Sequence, residues 1–138
     1  MPDDDNSPDW KGYGVDQAVT EQWVRTRFGD KVFESIEERT ARICEEANEL
    51  HQAEARDKVK ARAVAHAIVD RVFDKASGAV EQEVGGVIVT TLAYCAAKGM
   101  RLDVLAGKEI ARVMQDDPKR FRDKQAAKAD LGIAMRPE

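Results

Sequence analysis

The sequence predicts an all-α protein, a bundle of five to six helices with short connections. Apolar residues recur at spacings of three and four along several segments, which is the period of one helix face. Helix start and stop signals bound these segments, and no stretch is best explained as a strand. The 138 residues suffice for one compact core, so we expect a single domain.

The first two helices are predicted between residues 17 and 55. A short helix covers residues 17–28 and stops at a Gly-Asp pair. The second helix begins after Ser35, because Ser35 and Glu38 have the spacing of a capping box, and it runs to about residue 55. Its apolar stripe should face the core: Ile36, Thr40, Ile43, Ala47 and Leu50.

A third helix is predicted over residues 59–72, with Val64, Ala67, Ile68 and Val72 facing inward. Residues 84–91 are rich in β-branched side chains, but the apolar stretch continues to Lys98 and Gly99. A stretch of about 17 residues that ends in Lys-Gly is too long for an ordinary strand and favours a buried helix.

Two further helices complete the predicted bundle, over residues 103–113 and 119–129, the latter preceded by Asp117 as cap and Pro118 at the first helical position. We predict a folded domain over residues 17–130. Residues 1–16 should form a flexible lead, because they are acidic and rich in Pro and Gly, and residues 131–138 a flexible tail.

Charge and composition exclude several classes of protein. The net charge of −4 argues against a nucleic-acid polymer as partner. No apolar run is long enough to span a membrane, and the N-terminal residues lack the pattern of a signal peptide, so we expect a cytoplasmic protein with no membrane partner. The two cysteines lack the spacing of a zinc site.

Three carboxylates mark a candidate site on the second helix. Glu45 and Glu49 are four residues apart and Glu46 and Glu49 three apart, so all three can lie along one edge of the helix. Their mutual repulsion would be relieved by a hard divalent cation, which prefers oxygen ligands. The alternative is a solvated acidic face. Glu83 enters the later apolar helix, where it would need a metal or a partner, or could serve as a helix cap.

These residues resemble the MazG-like superfamily of all-α nucleoside triphosphate pyrophosphohydrolases, whose signature is Glu-Glu-x-x-Glu-Leu on one helix and Glu-x-x-Asp on a later one. Residues 45–50 match the first half, and Glu83 begins the second. The resemblance covers about residues 17–128. It departs from the pattern at Gly86, where the family has an aspartate. The missing ligand oxygen could come from Asp70, Asp74 or Glu81, or the site could bind fewer ions. Alternatively the metal site is degenerate, or the glycine is typical of a subgroup of the family.

The resemblance implies Mg²⁺- or Mn²⁺-dependent cleavage of a (deoxy)nucleoside triphosphate to the monophosphate and pyrophosphate. It implies Glu46, Glu49 and Glu83 as metal ligands, with Asp70 in place of the missing aspartate. Glu45 is a further ligand or the base that deprotonates the attacking water, and with Glu46 it makes the catalytic pair.

The triphosphate should be bound by cations that follow the buried helix at helical spacing: Lys108, Arg112, Lys119 and Arg122. A solvated basic face is the alternative for these four. Trp23 could stack on the base, although a core position is the other interpretation. Neither His51 nor His66 forms the Glu-x-x-His pair of a di-iron bundle.

The resemblance also implies a homo-oligomer, a dimer or a tetramer, with active sites in clefts near the subunit contacts. Two other functions remain open from the sequence. One is a catalytically silent helical module that binds a nucleotide or a protein, since Gly86 removes an expected ligand. The other is a structural interaction domain whose glutamates are merely solvated.

Overall fold

The computed structural model describes residues 17–138, which form seven helices and no strand. The predicted flexible lead, residues 1–16, lies outside the described residues. The all-helical class is confirmed, including the helix over the β-branched stretch. The helices are α1 (Gln17–Phe28), α2 (Asp30–Glu34), α3 (Ile36–Glu54), α4 (Lys58–Phe73), α5 (Val80–Lys98), α6 (Leu102–Gln115) and α7 (Pro118–Asp130).

The helix ends confirm the start and stop signals. The Ser35 hydroxyl accepts a hydrogen bond from the backbone N–H of Glu38 at 3.2 Å, as the first half of a capping box requires. Asp57 and Asp117 likewise accept hydrogen bonds from backbone N–H groups in the first turns of α4 and α7. Helix α5 ends at Gly99, whose φ of 68° is the left-handed conformation that favours glycine.

Helix α2 is the element that the sequence did not predict. Gly29 does stop α1, with a φ of 103°, but the chain becomes helical again at the next residue. Helix α2 has five residues, too few to show a period of three and four. It nevertheless contributes Val32, whose side chain is completely buried.

The main apolar cluster lies where α1, α2 and α7 meet. Val24, Phe28 and Val32 are buried there. Trp23, Phe33 and Phe121 pack against them. This cluster holds the N-terminal helices against the last helix of the chain and leaves the acidic segment of α3 outside the core.

A buried polar network joins α3, α7 and the C-terminal segment. The carboxylate of Glu38, which is 4% exposed, accepts hydrogen bonds from Gln125 Nε2 and from the backbone N–H of Met135, each at 2.8 Å. Gln125 also donates to the Met135 carbonyl at 2.7 Å, and Arg42 Nε approaches Glu38 within 3.1 Å. Residues 131–138, predicted as a flexible tail, are thereby hydrogen-bonded to the helices.

The predicted burial of α3, α4 and α5 is wrong for a single chain. Helix α4 packs mainly against α3, and α5 against α6, so that their long apolar faces lie uncovered. In α5, which the sequence assigned to the core, Cys95 is the one buried residue, and α4 has none. The exposed apolar side chains include Ile36, Ile43, Leu50, Val64, Ile68, Val72, Val84, Val87, Ile88 and Leu92.

None of the helices in residues 17–138 is long and apolar enough to cross a membrane.

Candidate active site

Helix α3 carries the acidic motif, and two later helices bring charged groups to it. Lys128 of α7 reaches Glu45, and Glu109 of α6 raises the pKa of Glu46 by its negative charge. The one-turn spacing on α3 therefore does place its carboxylates at a common edge, as the sequence predicts. Glu109 and Lys128 were not predicted as part of the site, because only the tertiary fold brings α6 and α7 to this edge.

Glu45 is held in two ion pairs. Lys128 Nζ lies 2.6 Å from one carboxylate oxygen, and Arg42 binds the other. Partial burial alone would raise the pKa of Glu45, but Lys128 and Arg42 outweigh it, and the pKa lies below its usual range. A carboxylate stabilised in its ionised form is a weak proton acceptor, so Glu45 is better suited to positioning than to acting as the base.

Glu46 has the opposite environment. Burial, followed by the charges of Glu49, Glu45 and Glu109, raises its pKa above the usual value, and Lys128 offsets part of this effect. A carboxylate with a raised pKa suits either of the predicted roles of Glu46, metal ligand or proton acceptor.

The other two predicted ligands lie apart from this group. Asp70 is an exposed residue of α4. Glu83 is exposed in the first turn of α5, close to the backbone of Gly78, and takes no part in capping, since no side chain caps α5. Within residues 17–138, no three His, Cys, Asp or Glu side chains come together in a group that could hold a metal ion.

Three of the predicted phosphate-binding cations already have partners within the chain. Arg112 is paired with Glu109 at 2.9 and 2.5 Å. Lys119 is paired with its neighbour on α7, Asp123, at 2.6 Å, and Arg122 donates to two backbone carbonyl groups. Lys108 is half-buried on α6 and forms no ion pair with the carboxylates of residues 17–138.

Trp23 packs within the apolar cluster. Its ring meets Phe28 and Phe121 edge to face, with centroid distances of 5.7 and 5.4 Å. This is the core position that the sequence left open as the alternative to base stacking. A ring fixed by two aromatic neighbours has little freedom to stack on a nucleobase.

A cleft of about 680 Å³ lies between α3 and α4, within the size range of small-molecule sites. Glu45, Asn48 and Glu49 line it from α3, and Lys58 and Arg62 from α4. Its other lining residues are His51, Gln52, Ala55, Val59, Ala61, Ala65, His66 and Val69. The sequence analysis missed the two cations, although their spacing of four residues places them on one face of α4.

Comparisons with protein-family models, with curated proteins and with solved structures find no match to this chain. What the site can do is therefore inferred from its own residues and from the motif of residues 45–50.

The donor chemistry of α3 fits a hard divalent cation. Glu46 and Glu49 offer carboxylate oxygens, the ligands that Mg²⁺ and Mn²⁺ prefer, and Glu49 forms no ion pair within the described part of the chain. Asp70 and Glu83 do not join these two glutamates within residues 17–138.

Proposed function

We propose that the protein is a metal-dependent nucleoside triphosphate pyrophosphohydrolase that acts as a homo-oligomer. The observation that supports it best is the group of carboxylates at the edge of α3, where burial and then the charges of Glu49, Glu45 and Glu109 raise the pKa of Glu46. Folding places these like charges together at a cost in free energy, which a bound divalent cation would offset. Neighbouring carboxylates whose pKa values are shifted in opposite directions are typical of functional sites.

Each glutamate of the motif has a distinct role in this proposal. Glu49 would hold Mg²⁺ or Mn²⁺, Glu46 would act as the proton acceptor, and Glu45, fixed by Lys128, holds the edge of α3 against α7. When bound, the divalent ion neutralises the triphosphate and lowers the pKa of the attacking water. Glu46 would accept the proton of the water as the water oxygen bonds to the α-phosphorus and the bond from that phosphorus to the bridging oxygen breaks, which releases the monophosphate and pyrophosphate.

A second copy of the chain completes the assembly. Helices α4 and α5 expose apolar side chains along their whole length, with Val59 and Phe73 each 83% exposed. Contiguous apolar surface on this scale is uncommon on monomers and typical of interfaces. In the proposed dimer or tetramer, a neighbouring chain covers these faces and brings the carboxylates of Asp70 and Glu83 to the metal.

Light scattering coupled to gel filtration tests the assembly. We expect a mass of two or four times the 15.3 kDa of the chain. Ile88→Glu, which places a charge on the exposed apolar face of α5, should lower that mass, because a buried unpaired charge opposes association. A stable 15.3 kDa species in the unmodified protein would contradict the oligomer.

The activity is tested by pyrophosphate release from a panel of ribo- and deoxyribonucleoside triphosphates, with Mg²⁺, with Mn²⁺ and with a chelator. Release should require the metal and be lost in Glu49→Gln. Glu37→Gln is the matched control, because Glu37 is an exposed glutamate in the first turn of the same helix. If none of the nucleotides tested released pyrophosphate, the proposed pyrophosphohydrolase activity would be wrong for these substrates.

Gly86 favours one other function, a catalytically silent module. This glycine stands on α5 where the resembling family has an aspartate, so a metal ligand could be lacking even in the oligomer. Such a protein would bind a nucleotide with its metal and release no pyrophosphate. Binding without turnover in the same panel would identify it.

A further inference from the structure

The two walls of the cleft between α3 and α4 carry opposite charges. Glu45 and Glu49 line the α3 wall, and Lys58 and Arg62 line the α4 wall. Residues 55–57 connect the two helices, and the cleft is lined by the end of α3 and the beginning of α4 on either side of this connection. A ligand in the cleft therefore meets carboxylates on one side and cations on the other.

The charges that face each other across the cleft are not paired with each other. Glu45 is held by Lys128 and Arg42, whereas Arg62 and Glu49 form no ion pair with any side chain of residues 17–138. Lys58 contacts the Gln52 carbonyl at 3.4 Å and no carboxylate of those residues. Opposite charges that line one cleft without closing a salt bridge leave room for a ligand that carries both signs.

We propose that this cleft binds the polyphosphate of a nucleotide, with Arg62 and Lys58 on the phosphate oxygens and Glu49 on the divalent cation that the polyphosphate carries. The proposal rests on the proposed function for the identity of its ligand. It assigns phosphate binding to α4, in place of the cations of α6 and α7 that the sequence predicted.

The chemistry of the two cations suits this role. The guanidinium of Arg62 offers a planar fork of N–H donors that can bind two phosphate oxygens at once. Lys58, the first residue of α4, adds a second positive charge to the same wall of the cleft. A metal-bound polyphosphate, positive at one point and negative along its length, complements both walls.

Calorimetric titration with inorganic tripolyphosphate tests the cleft without a nucleobase and without turnover. The titration is made with Mg²⁺ and with a chelator, on the unmodified protein, Arg62→Gln and Arg62→Lys. Arg56→Gln is the matched control, because Arg56 is exposed in the connection between the same helices and does not line the cleft. Circular dichroism checks that each variant keeps its helices.

Arg62→Gln should weaken binding about tenfold to a hundredfold in both conditions, since it removes charge-assisted hydrogen bonds to phosphate. Arg62→Lys should recover part of the affinity, because it keeps the charge and loses the fork. Arg56→Gln should bind as the unmodified protein does. Glu49→Gln should reduce the gain in affinity that Mg²⁺ provides, and in chelator it should not weaken binding, because it removes a negative charge from the cleft.

The outcomes separate this proposal from the proposed function. Pyrophosphate release with a KM unaffected by Arg62→Gln would keep the enzyme and overturn the phosphate site. Tripolyphosphate binding that depends on Arg62, in a protein that hydrolyses no nucleotide, would keep the site and overturn the enzyme. Absence of tripolyphosphate binding, or equal weakening by Arg56→Gln, would overturn the site.

Discussion

Replacing the buried carboxylate of Glu38 should destabilise the fold more than any other single isosteric change on α3. The side chain accepts hydrogen bonds from Gln125 and from the Met135 backbone N–H, both at 2.8 Å, and lies 3.1 Å from Arg42 Nε. All of these neighbours are donors. The carboxylate accepts one hydrogen bond at each oxygen, from Gln125 and from Met135, and its charge attracts the Arg42 guanidinium.

Glu38→Gln keeps the shape of the side chain but leaves it only one oxygen that can accept hydrogen bonds. One oxygen becomes an NH₂ group that must face a donor, which costs about 1–3 kcal/mol for the unsatisfied group. The remaining contacts lose their charge assistance, and Arg42 loses an ionic partner in a part-buried setting. Together these losses give a decrease of about 3 kcal/mol in the free energy of unfolding.

Urea unfolding followed by circular dichroism measures this change, at one fixed protein concentration because association affects apparent stability. A loss of about 3 kcal/mol corresponds to roughly 10 °C in Tm for a domain of this size. Glu37→Gln, one residue away and exposed, should stay within about 0.5 kcal/mol of the unmodified protein. If both variants were equally stable, the buried network would not hold the C-terminal segment as described.

Three further predictions concern charges and one helix end. Glu46→Gln should raise stability at neutral pH by a few tenths of a kcal/mol, because the raised pKa means that folding disfavours ionised Glu46. The difference in the free energy of unfolding between the two proteins should vanish below the ordinary pKa of a glutamate, where Glu46 is protonated in both the folded and the unfolded state. Denaturation at several pH values measures this. Lys128→Met should cost up to about 1 kcal/mol at neutral pH, since the lowered pKa of Glu45 stabilises the fold above its unfolded pKa. That contribution is lost as the pH falls through the folded pKa, so an equal cost at low pH would count against the ion pair. Gly99→Ala should lower the Tm by the equivalent of about 1 kcal/mol, because φ is 68° there; an unchanged Tm would argue against the left-handed cap.

The sequence predicted the helices far better than their packing. Helix ends are set by local chemistry, such as the Ser35 hydroxyl and the left-handed Gly99, and these positions agree with the structure. An apolar stripe identifies a face that needs a partner and does not say which element covers it. The buried side chain of α3 is therefore Glu38, which the sequence marked as half of a capping box, and the predicted stripe lies outside.

In the candidate site, too, local sequence predicts one part of the arrangement, and the other part depends on the tertiary fold. The carboxylates of α3 are neighbours because of their spacing on one helix, and local rules suffice to place them. Lys128 lowers the pKa of Glu45, whereas burial, Glu49 and Glu45, with a further contribution from Glu109, raise the pKa of Glu46. Lys128 and Glu109 lie more than 60 residues away in sequence, so their contributions exist only in the folded chain.

The uncovered helices and the incomplete ligand set have one common explanation. Helices α4 and α5 carry Asp70 and Glu83, and they are also the helices whose apolar faces find no cover within residues 17–138. If a second chain buries those faces, the same contact carries the two carboxylates to a new position relative to α3. Assembly and metal binding would then be linked, because a cation held by both chains favours the associated state. Disruption of the α5 face by Ile88→Glu should therefore reduce metal-dependent pyrophosphate release together with the mass, and normal activity in a monomeric variant would show that one chain completes its own site.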